Sequence, residues 1–140
     1  MTDICAAIGI CQLNKLDGFN KTRQKNAEYY SKKLSKLDYL QCPKTNPNNE
    51  HVFHQYTLRI KDGRRDELRK YLADKKIPSM VYYPGPLHTQ NAYIYLGYGE
   101  NDFPVTTSLC REVLSLPMFP ELTAEQIAYV VDTLKANLDA

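Results

Sequence analysis

The most informative stretch of the sequence is Val81-Tyr82-Tyr83-Pro84-Gly85-Pro86-Leu87-His88-Thr89-Gln90. Two prolines flank a glycine, which excludes this stretch from a helix interior and from a central strand. The stretch therefore predicts a stiff loop of defined shape. Two tyrosines enter the loop and a histidine leaves it, so it can form one wall of a binding site. It can equally be a tight connection between two elements.

Strands and a helix are predicted on the N-terminal side of this loop. Residues 52–60 alternate, which predicts a strand with Val52, His54, Tyr56, Leu58 and Ile60 on one face. Residues 65–76 predict a helix whose core face is Leu68, Tyr71 and Leu72. Pro78 then opens a second strand that runs to Tyr82.

Helices dominate the C-terminal side. Residues 90–96 predict a short helix with Thr89 as its N-cap, and a longer helix begins near Pro104. Residues 114–116 predict a short buried strand. The last helix starts at the capping box Thr123-Ala124-Glu125-Gln126, and its apolar face is formed by Ile127, Val130, Val131, Leu134 and Leu138.

The first 37 residues predict a long helix, broken or bent near Gly18. Its main apolar stripe consists of Ile4, Ile8, Leu16, Phe19, Ala27, Tyr30, Leu34 and Leu37. Ile10 and Leu13 lie off that stripe. A helix that is apolar on more than one side is usually buried on more than one side, so a second partner surface is expected here.

Composition narrows the class of protein. A chain of 140 residues, 43% apolar and 24% charged, with a net charge of +2, predicts one globular domain without a basic nucleic-acid-binding block. No segment resembles a membrane span or a secretion signal, so no membrane partner and a cytoplasmic location are expected. The spacing of Cys42, His51 and His54 matches no tetrahedral metal motif, and the four cysteines form no C-x-x-C pair. We expect free thiols and no metal.

These elements predict a fold of the α/β class, α+β in type, with a small sheet of about three strands covered by helices. The whole chain, 1–140, is expected to be a single domain, with its sheet-and-helix core in residues 52–140.

Four segments resemble the pyridoxal-phosphate (PLP)-dependent sugar-nucleotide aminotransferases of the DegT/DnrJ/StrS type. They are Met1-Thr2-Asp3-Ile4-Cys5-Ala6-Ala7-Ile8-Gly9, Phe53-His54-Gln55-Tyr56, Tyr83-Pro84-Gly85-Pro86-Leu87-His88-Thr89-Gln90 and Leu114-Ser115-Leu116-Pro117-Met118-Phe119-Pro120-Glu121-Leu122-Thr123. The segments span the chain, but the resemblance covers only the C-terminal part of that family. It implies an antiparallel sheet and a first helix, 1–37, that bridges to a large domain upstream of Met1.

The resemblance also bears on function. It implies that Tyr82, Tyr83 and His88 contact the sugar nucleotide, often across the interface of a homodimer. His88 precedes a predicted short helix whose N-terminus would suit a diphosphate. Without the resemblance, Tyr82 would be read as the buried end of a strand and His88 as part of a helix cap.

The expected function is that of a C-terminal domain fragment of a PLP-dependent aminotransferase that aminates a keto-sugar nucleotide. The imine-forming lysine and most cofactor contacts would lie upstream, so this chain alone should bind no PLP and be catalytically silent. One alternative is a free-standing interaction or regulatory domain that kept the fold without the activity. A weaker alternative is a nucleic-acid-binding module that stacks bases on exposed tyrosines.

Overall fold

The strand Tyr56–Ile60 (β2) is the centre of a three-stranded antiparallel sheet in the computed structural model, which describes residues 1–137. It pairs on one side with Leu40–Gln41 (β1), where Leu40 lies opposite Ile60. On its other side it pairs with Val113–Leu116 (β3), where Tyr56 lies opposite Leu116. The predicted class and the antiparallel sheet are confirmed.

The described residues also form five α-helices: Asp3–Leu13 (α1), Leu16–Leu34 (α2), Arg65–Asp74 (α3), Pro104–Glu112 (α4) and Ala124–Ala136 (α5). Helices α2 and α5 pack against each other. Two short 3-10 turns, Leu87–Thr89 and Asn91–Leu96, lie between α3 and α4. No helix among the described residues is long and apolar enough to cross a membrane.

The core lies between the apolar face of β2 and the two packed helices. Tyr56, Leu58 and Ile60 are fully buried, as their alternation predicts. Buried tyrosines also find hydrogen-bond acceptors: the Tyr30 hydroxyl donates to the Pro117 carbonyl at 3.1 Å, and the Tyr39 hydroxyl donates to the Leu134 carbonyl at 2.8 Å. These bonds tie α2 and the segment before β1 to the C-terminal part of the chain.

Local signals place the last helix correctly. The Thr123 hydroxyl accepts the Gln126 amide at 3.2 Å, and the Gln126 side chain accepts the Thr123 amide at 3.0 Å, which completes the predicted capping box. The predicted apolar face of α5 is buried from Ile127 to Leu134. Leu138, the last residue predicted for that face, lies outside the described residues.

The membership of the sheet differs from the prediction in two places. The strand predicted over 52–60 begins only at Tyr56. Phe53 has a φ of +48°, in the left-handed region, and its amide donates to the His51 ring nitrogen at 2.9 Å, so the chain turns there instead of extending. The segment from Pro78 to Tyr82 touches β3 through one residue pair, Met80 with Ser115. Its predicted place as the third strand is taken by β1.

The helical predictions need two corrections. The first helix is divided at Asn14–Lys15, between α1 and α2, and Gly18 lies inside α2. Thr89 does not cap the next helix, because its hydroxyl donates to the Pro86 carbonyl at 3.0 Å and closes the first 3-10 turn.

Helix α1 has no buried residue. Its apolar side chains are open to solvent on every side; Ile4 is 75% exposed, Ile10 62% and Leu13 67%. The stripe predicted over 3–37 is therefore buried only in α2 and just beyond it, at Ala27, Tyr30, Leu34 and Leu37.

A buried arginine joins α3 to α4. The Arg65 guanidinium donates to the Cys110 and Val113 carbonyls at 3.2 and 3.3 Å. The carbonyls at a helix C-terminus lack partners within the helix, so a cation placed there satisfies them and favours the helix dipole. Arg65 thus fixes the point at which α4 turns directly into β3.

Candidate functional site

A groove of about 270 Å³ opens beside Tyr82, at the edge of β3. The side chains around it mix imidazole, amide, hydroxyl and phenol groups with an apolar floor. Its lining residues are His54, Gln55, Pro78, Ser79, Met80, Tyr82, Ser115, Leu116, Pro117, Met118 and Phe119.

Backbone pairing builds this groove from three separate parts of the chain. The Met80 and Ser115 backbones exchange two hydrogen bonds, at 3.1 and 2.7 Å, which hold the segment before Tyr82 against β3. The Ser115 hydroxyl lies 2.8 Å from the Thr57 hydroxyl, so β2 and β3 are also joined by side chains. The entry to β2 supplies His54 and Gln55. The groove is therefore set by the sheet and not by the loop alone.

Tyr82 lines the groove, and Tyr83 follows it in the chain. Their rings meet edge to face with centroids 5.8 Å apart. Tyr82 is 38% exposed, which excludes the interpretation of its side chain as the buried end of a strand. Tyr83 is more exposed and does not line the groove.

His88 occupies a different position from Tyr82. Its ring packs against Phe103 with centroids 4.8 Å apart, and Phe103 in turn meets Tyr98 at 5.2 Å. The Nε2 atom is buried and has no hydrogen-bond partner among residues 1–137. His88 lies within a 3-10 turn of three residues, too short to carry the helix-terminal charge that the sequence suggested.

His54, Gln55, Ser79 and Phe119 line the groove without having been predicted as site residues. A signal was present for His54, Gln55 and Phe119, since all three lie in segments that carry the family resemblance. Ser79 lies outside those segments and joins the groove through the pairing of Met80 with Ser115.

The residues of the groove do not fit an imine-forming cofactor site, because none of the lining residues is a lysine. Ser79, Ser115, Gln55 and His54 can bind and orient hydroxyl or phosphoryl groups, and Phe119 and Met80 can pack against a ring. Within residues 1–137, no group of three or more His, Cys, Asp or Glu side chains is placed to hold a metal ion. All four cysteines are free thiols.

Residues 82–105, which we name the aromatic arm, present an unusually apolar surface to solvent. Its exposed members are Tyr82, Tyr83, Leu87, Tyr93, Ile94, Tyr95, Leu96, Tyr98, Phe103 and Val105. Isolated apolar side chains are normal on a surface, whereas larger apolar patches are often contact sites for a partner.

The model of the DegT/DnrJ/EryC1/StrS aminotransferase family matches residues 1–135. The chain belongs to this family. Among its curated members, a "Pleiotropic regulatory protein" of Geobacillus stearothermophilus is 41% identical over 136 residues, 96% of this chain and 36% of that protein. The UDP-N-acetyl-3-dehydro-alpha-D-glucosamine 3-aminotransferase of Acidithiobacillus ferrooxidans is 35% identical over 138 residues, 99% of this chain and 36% of that protein.

Solved structures of DegT-family proteins share the fold. The DesV protein of S. venezuelae, crystallised with a ketimine intermediate, superposes with a TM-score of 0.91 at 34% identity, over 96% of this chain and 36% of that chain. The PLP form of the putative sugar aminotransferase Spr1654 of Streptococcus pneumoniae gives a TM-score of 0.87 at 25% identity, over 97% of this chain and 35% of that chain.

The chain spans about 36% of the length of the DegT-family relatives that it matches. The family resemblance read from the four segments is thus confirmed. Its restriction to one part of the family's length is consistent with the expected C-terminal fragment.

Proposed function

We propose that this chain is the C-terminal domain of a PLP-dependent aminotransferase that aminates a keto-sugar nucleotide. The observation that carries the proposal is the match of residues 1–135 to the aminotransferase family, over about a third of the length of relatives that include a nucleotide-sugar aminotransferase. Within the intact enzyme, this domain would supply one wall of the substrate cleft and part of a subunit contact. The cytoplasmic location expected from the sequence stays a prediction.

Substrate contact is assigned in this proposal to Tyr82, Tyr83 and His88, with His54 and Gln55 added from the groove. A sugar nucleotide offers hydroxyls, phosphoryl oxygens and a flat base. Phenol and imidazole groups can hydrogen-bond the first two and stack on the third. The buried Nε2 of His88 has no partner among the described residues, which makes it a candidate for a bond that forms only with substrate or with another part of the enzyme.

Cofactor chemistry is assigned to the portion of the enzyme outside this chain. PLP would supply an electron sink, and a lysine would hold it as an imine; the groove at Tyr82 contains no lysine. We therefore propose no cofactor-dependent step for these residues and expect the isolated chain to be catalytically silent. Their role is to bind and orient the sugar nucleotide.

A homodimer is part of the same proposal. Helix α1 and the aromatic arm both leave large apolar side chains in water. In the intact enzyme, the upstream domain would cover α1, and the arm would reach the second subunit. The expectation that α1 bridges two domains comes from the family resemblance, and the complete lack of buried residues in α1 supports it.

The test of the substrate role uses an enzyme in which the upstream domain is present. His88→Ala should lower kcat/KM for the sugar nucleotide roughly ten- to a hundredfold. The reason is that the loss of a hydrogen bond to a charged group lowers the binding free energy by about 1.5–3 kcal/mol. Phe103→Leu is the matched control, since it removes the stacking partner of His88 but keeps the imidazole. The proposal fails for His88 if both variants lower the melting temperature equally and neither changes the kinetics.

The expectation that the isolated chain does not hold PLP on a lysine can be tested directly. The chain is mixed with PLP, reduced with borohydride and digested, and the modified lysines are mapped. We expect scattered, substoichiometric labelling. Stoichiometric modification of one lysine would mean that this domain holds the cofactor itself.

A free-standing regulatory or interaction domain is the second candidate. Its support is limited to the regulatory function in the name of the Geobacillus relative, a pleiotropic regulatory protein of which this chain spans 36%. Sequencing the coding DNA upstream of Met1 separates the two functions. An in-frame large domain with a lysine segment supports the enzyme, whereas a stop codon followed by a ribosome-binding site supports the short regulatory protein.

A further inference from the structure

A second cavity, of about 280 Å³, lies between α2 and the first turn of α5. It is separate from the groove at Tyr82 and shares none of its lining residues. Its lining consists of Lys25, Asn26, Tyr29, Leu122, Ala124 and Ile127. Three of these side chains are polar and carry hydrogen-bond donors, and the other three are apolar.

Asn26 is the unusual member of this set. It is only 8% exposed, yet its side-chain Nδ2 has no hydrogen-bond partner among residues 1–137. Buried amide groups are nearly always hydrogen-bonded, because an unpaired donor loses its bonds to water without replacement. A buried, unpaired donor beside a cavity indicates that an acceptor belongs in the cavity.

The start of α5 supplies a second donor. The capping box satisfies the Gln126 amide, and the Ile127 amide donates to the Thr123 carbonyl at 3.1 Å. Glu125 is exposed, and the backbone amide of Glu125 together with the Thr123 side chain lowers the pKa of its carboxyl. The Ala124 amide, in the first turn of a helix of 13 residues, is left without a partner in the described chain.

Charge and shape define the acceptor further. Lys25 is exposed at the rim and forms no ion pair within residues 1–137. The helix terminus adds partial positive charge at the same end. Leu122, Ile127 and the Tyr29 ring form an apolar wall, and the Lys33 ammonium lies 5.7 Å from the centre of that ring. An anionic head with an apolar body matches both parts.

We propose that this cavity binds the carboxylate of a small organic acid with an apolar body. Asn26 and the Ala124 amide donate to the carboxylate oxygens, Lys25 neutralises the charge, and Tyr29 packs against the body of the ligand. The site is independent of the aminotransferase proposal, so neither depends on the other.

Benzoate is the probe, and the assay is an NMR titration of the isotope-labelled full chain. The Ala124 backbone amide and the Asn26 side-chain amide should shift saturably with benzoate. Benzamide, which has the same shape without the charge, should shift them at least tenfold more weakly. Inorganic phosphate, which has the charge without the apolar body, should also bind at least tenfold more weakly.

Lys25→Gln should raise the Kd for benzoate about tenfold, whereas Lys32→Gln, on an exposed part of the same helix, should leave it unchanged. Asn26→Asp replaces the amide donor by a negative charge and should abolish benzoate binding. If the Asn26→Asp variant does not fold, Asn26→Ala is used instead, and a melting curve verifies that the variant is folded. Absence of a saturable shift, equal binding of benzamide, equal binding of phosphate, or equal effects of the two lysine variants would overturn the proposal.

Discussion

Arg65→Met should destabilise the domain more than any other single arginine change on α3. The guanidinium is buried and donates to two carbonyls, Cys110 at 3.2 Å and Val113 at 3.3 Å. Its Nε also lies 2.6 Å from the Asp66 carboxylate, but this atom is not aligned for a hydrogen bond, and Asp66 is well exposed. The ion pair should therefore contribute little, and the two carbonyl bonds should decide the outcome.

The expected loss follows from those two bonds. A hydrogen bond to a charged group contributes about 1.5–3 kcal/mol, so two would contribute about 3–6 kcal/mol. Methionine avoids the cost of burying a charge, which offsets part of the loss. We expect a net decrease of about 2–3 kcal/mol in the free energy of unfolding, or roughly 5–10 °C in Tm for a domain of this size.

Urea unfolding followed by circular dichroism measures this loss, provided that the slope with denaturant stays constant. Arg69→Met is the control, since Arg69 is exposed one turn later on α3. Arg65→Lys should fall between wild type and Arg65→Met, because lysine keeps the charge but cannot reach two carbonyls with a planar fork. A difference of less than about 0.5 kcal/mol between Arg65→Met and Arg69→Met would refute the capping role of Arg65.

Three further outcomes are expected. Burial raises the pKa of Tyr39 to about 12 from 10. The contribution of the neutral hydroxyl to stability is therefore complete below pH 10 and is lost as the pH rises through 12. Between pH 9 and 11.5, urea unfolding should show a larger decrease in the free energy of unfolding for wild type than for Tyr39→Phe. Thr123→Ala should cost about 1 kcal/mol in urea unfolding through the lost cap, and no measurable loss would contradict the capping-box argument. The isolated chain should self-associate through α1 in sedimentation equilibrium, and Ile10→Glu should weaken the association; a wild-type monomer at high concentration would disprove this.

Local sequence rules predicted a helix or strand correctly where the signal lies within the segment itself. The capping box at Thr123 and the proline at the start of α4 located two helices, because both signals act within one turn of the chain. The alternation of Tyr56, Leu58 and Ile60 identified the central strand, because its two neighbours hold it in place and one face must be buried.

The edge strands of the sheet could not be predicted from local sequence patterns. A short edge strand forms where the chain can pair with a distant strand. Leu40–Gln41 is therefore an edge strand of the sheet, although the 78–82 segment has the stronger strand pattern. The turn at Phe53 likewise depends on one hydrogen bond to the His51 ring. Neither event leaves a periodic pattern in the sequence.

The same distinction between local and non-local signals applies to the candidate site. The sequence by itself determined the family, the composition of the Pro-Gly-Pro loop and the importance of Tyr82 and His88 as candidates, since these are properties of contiguous residues. Only the tertiary structure decided that Tyr82 shares a groove with His54 and Phe119, while His88 packs on Phe103. The reason is that one pairing, Met80 with Ser115, brings distant segments together, and such non-local contacts are set by the whole core.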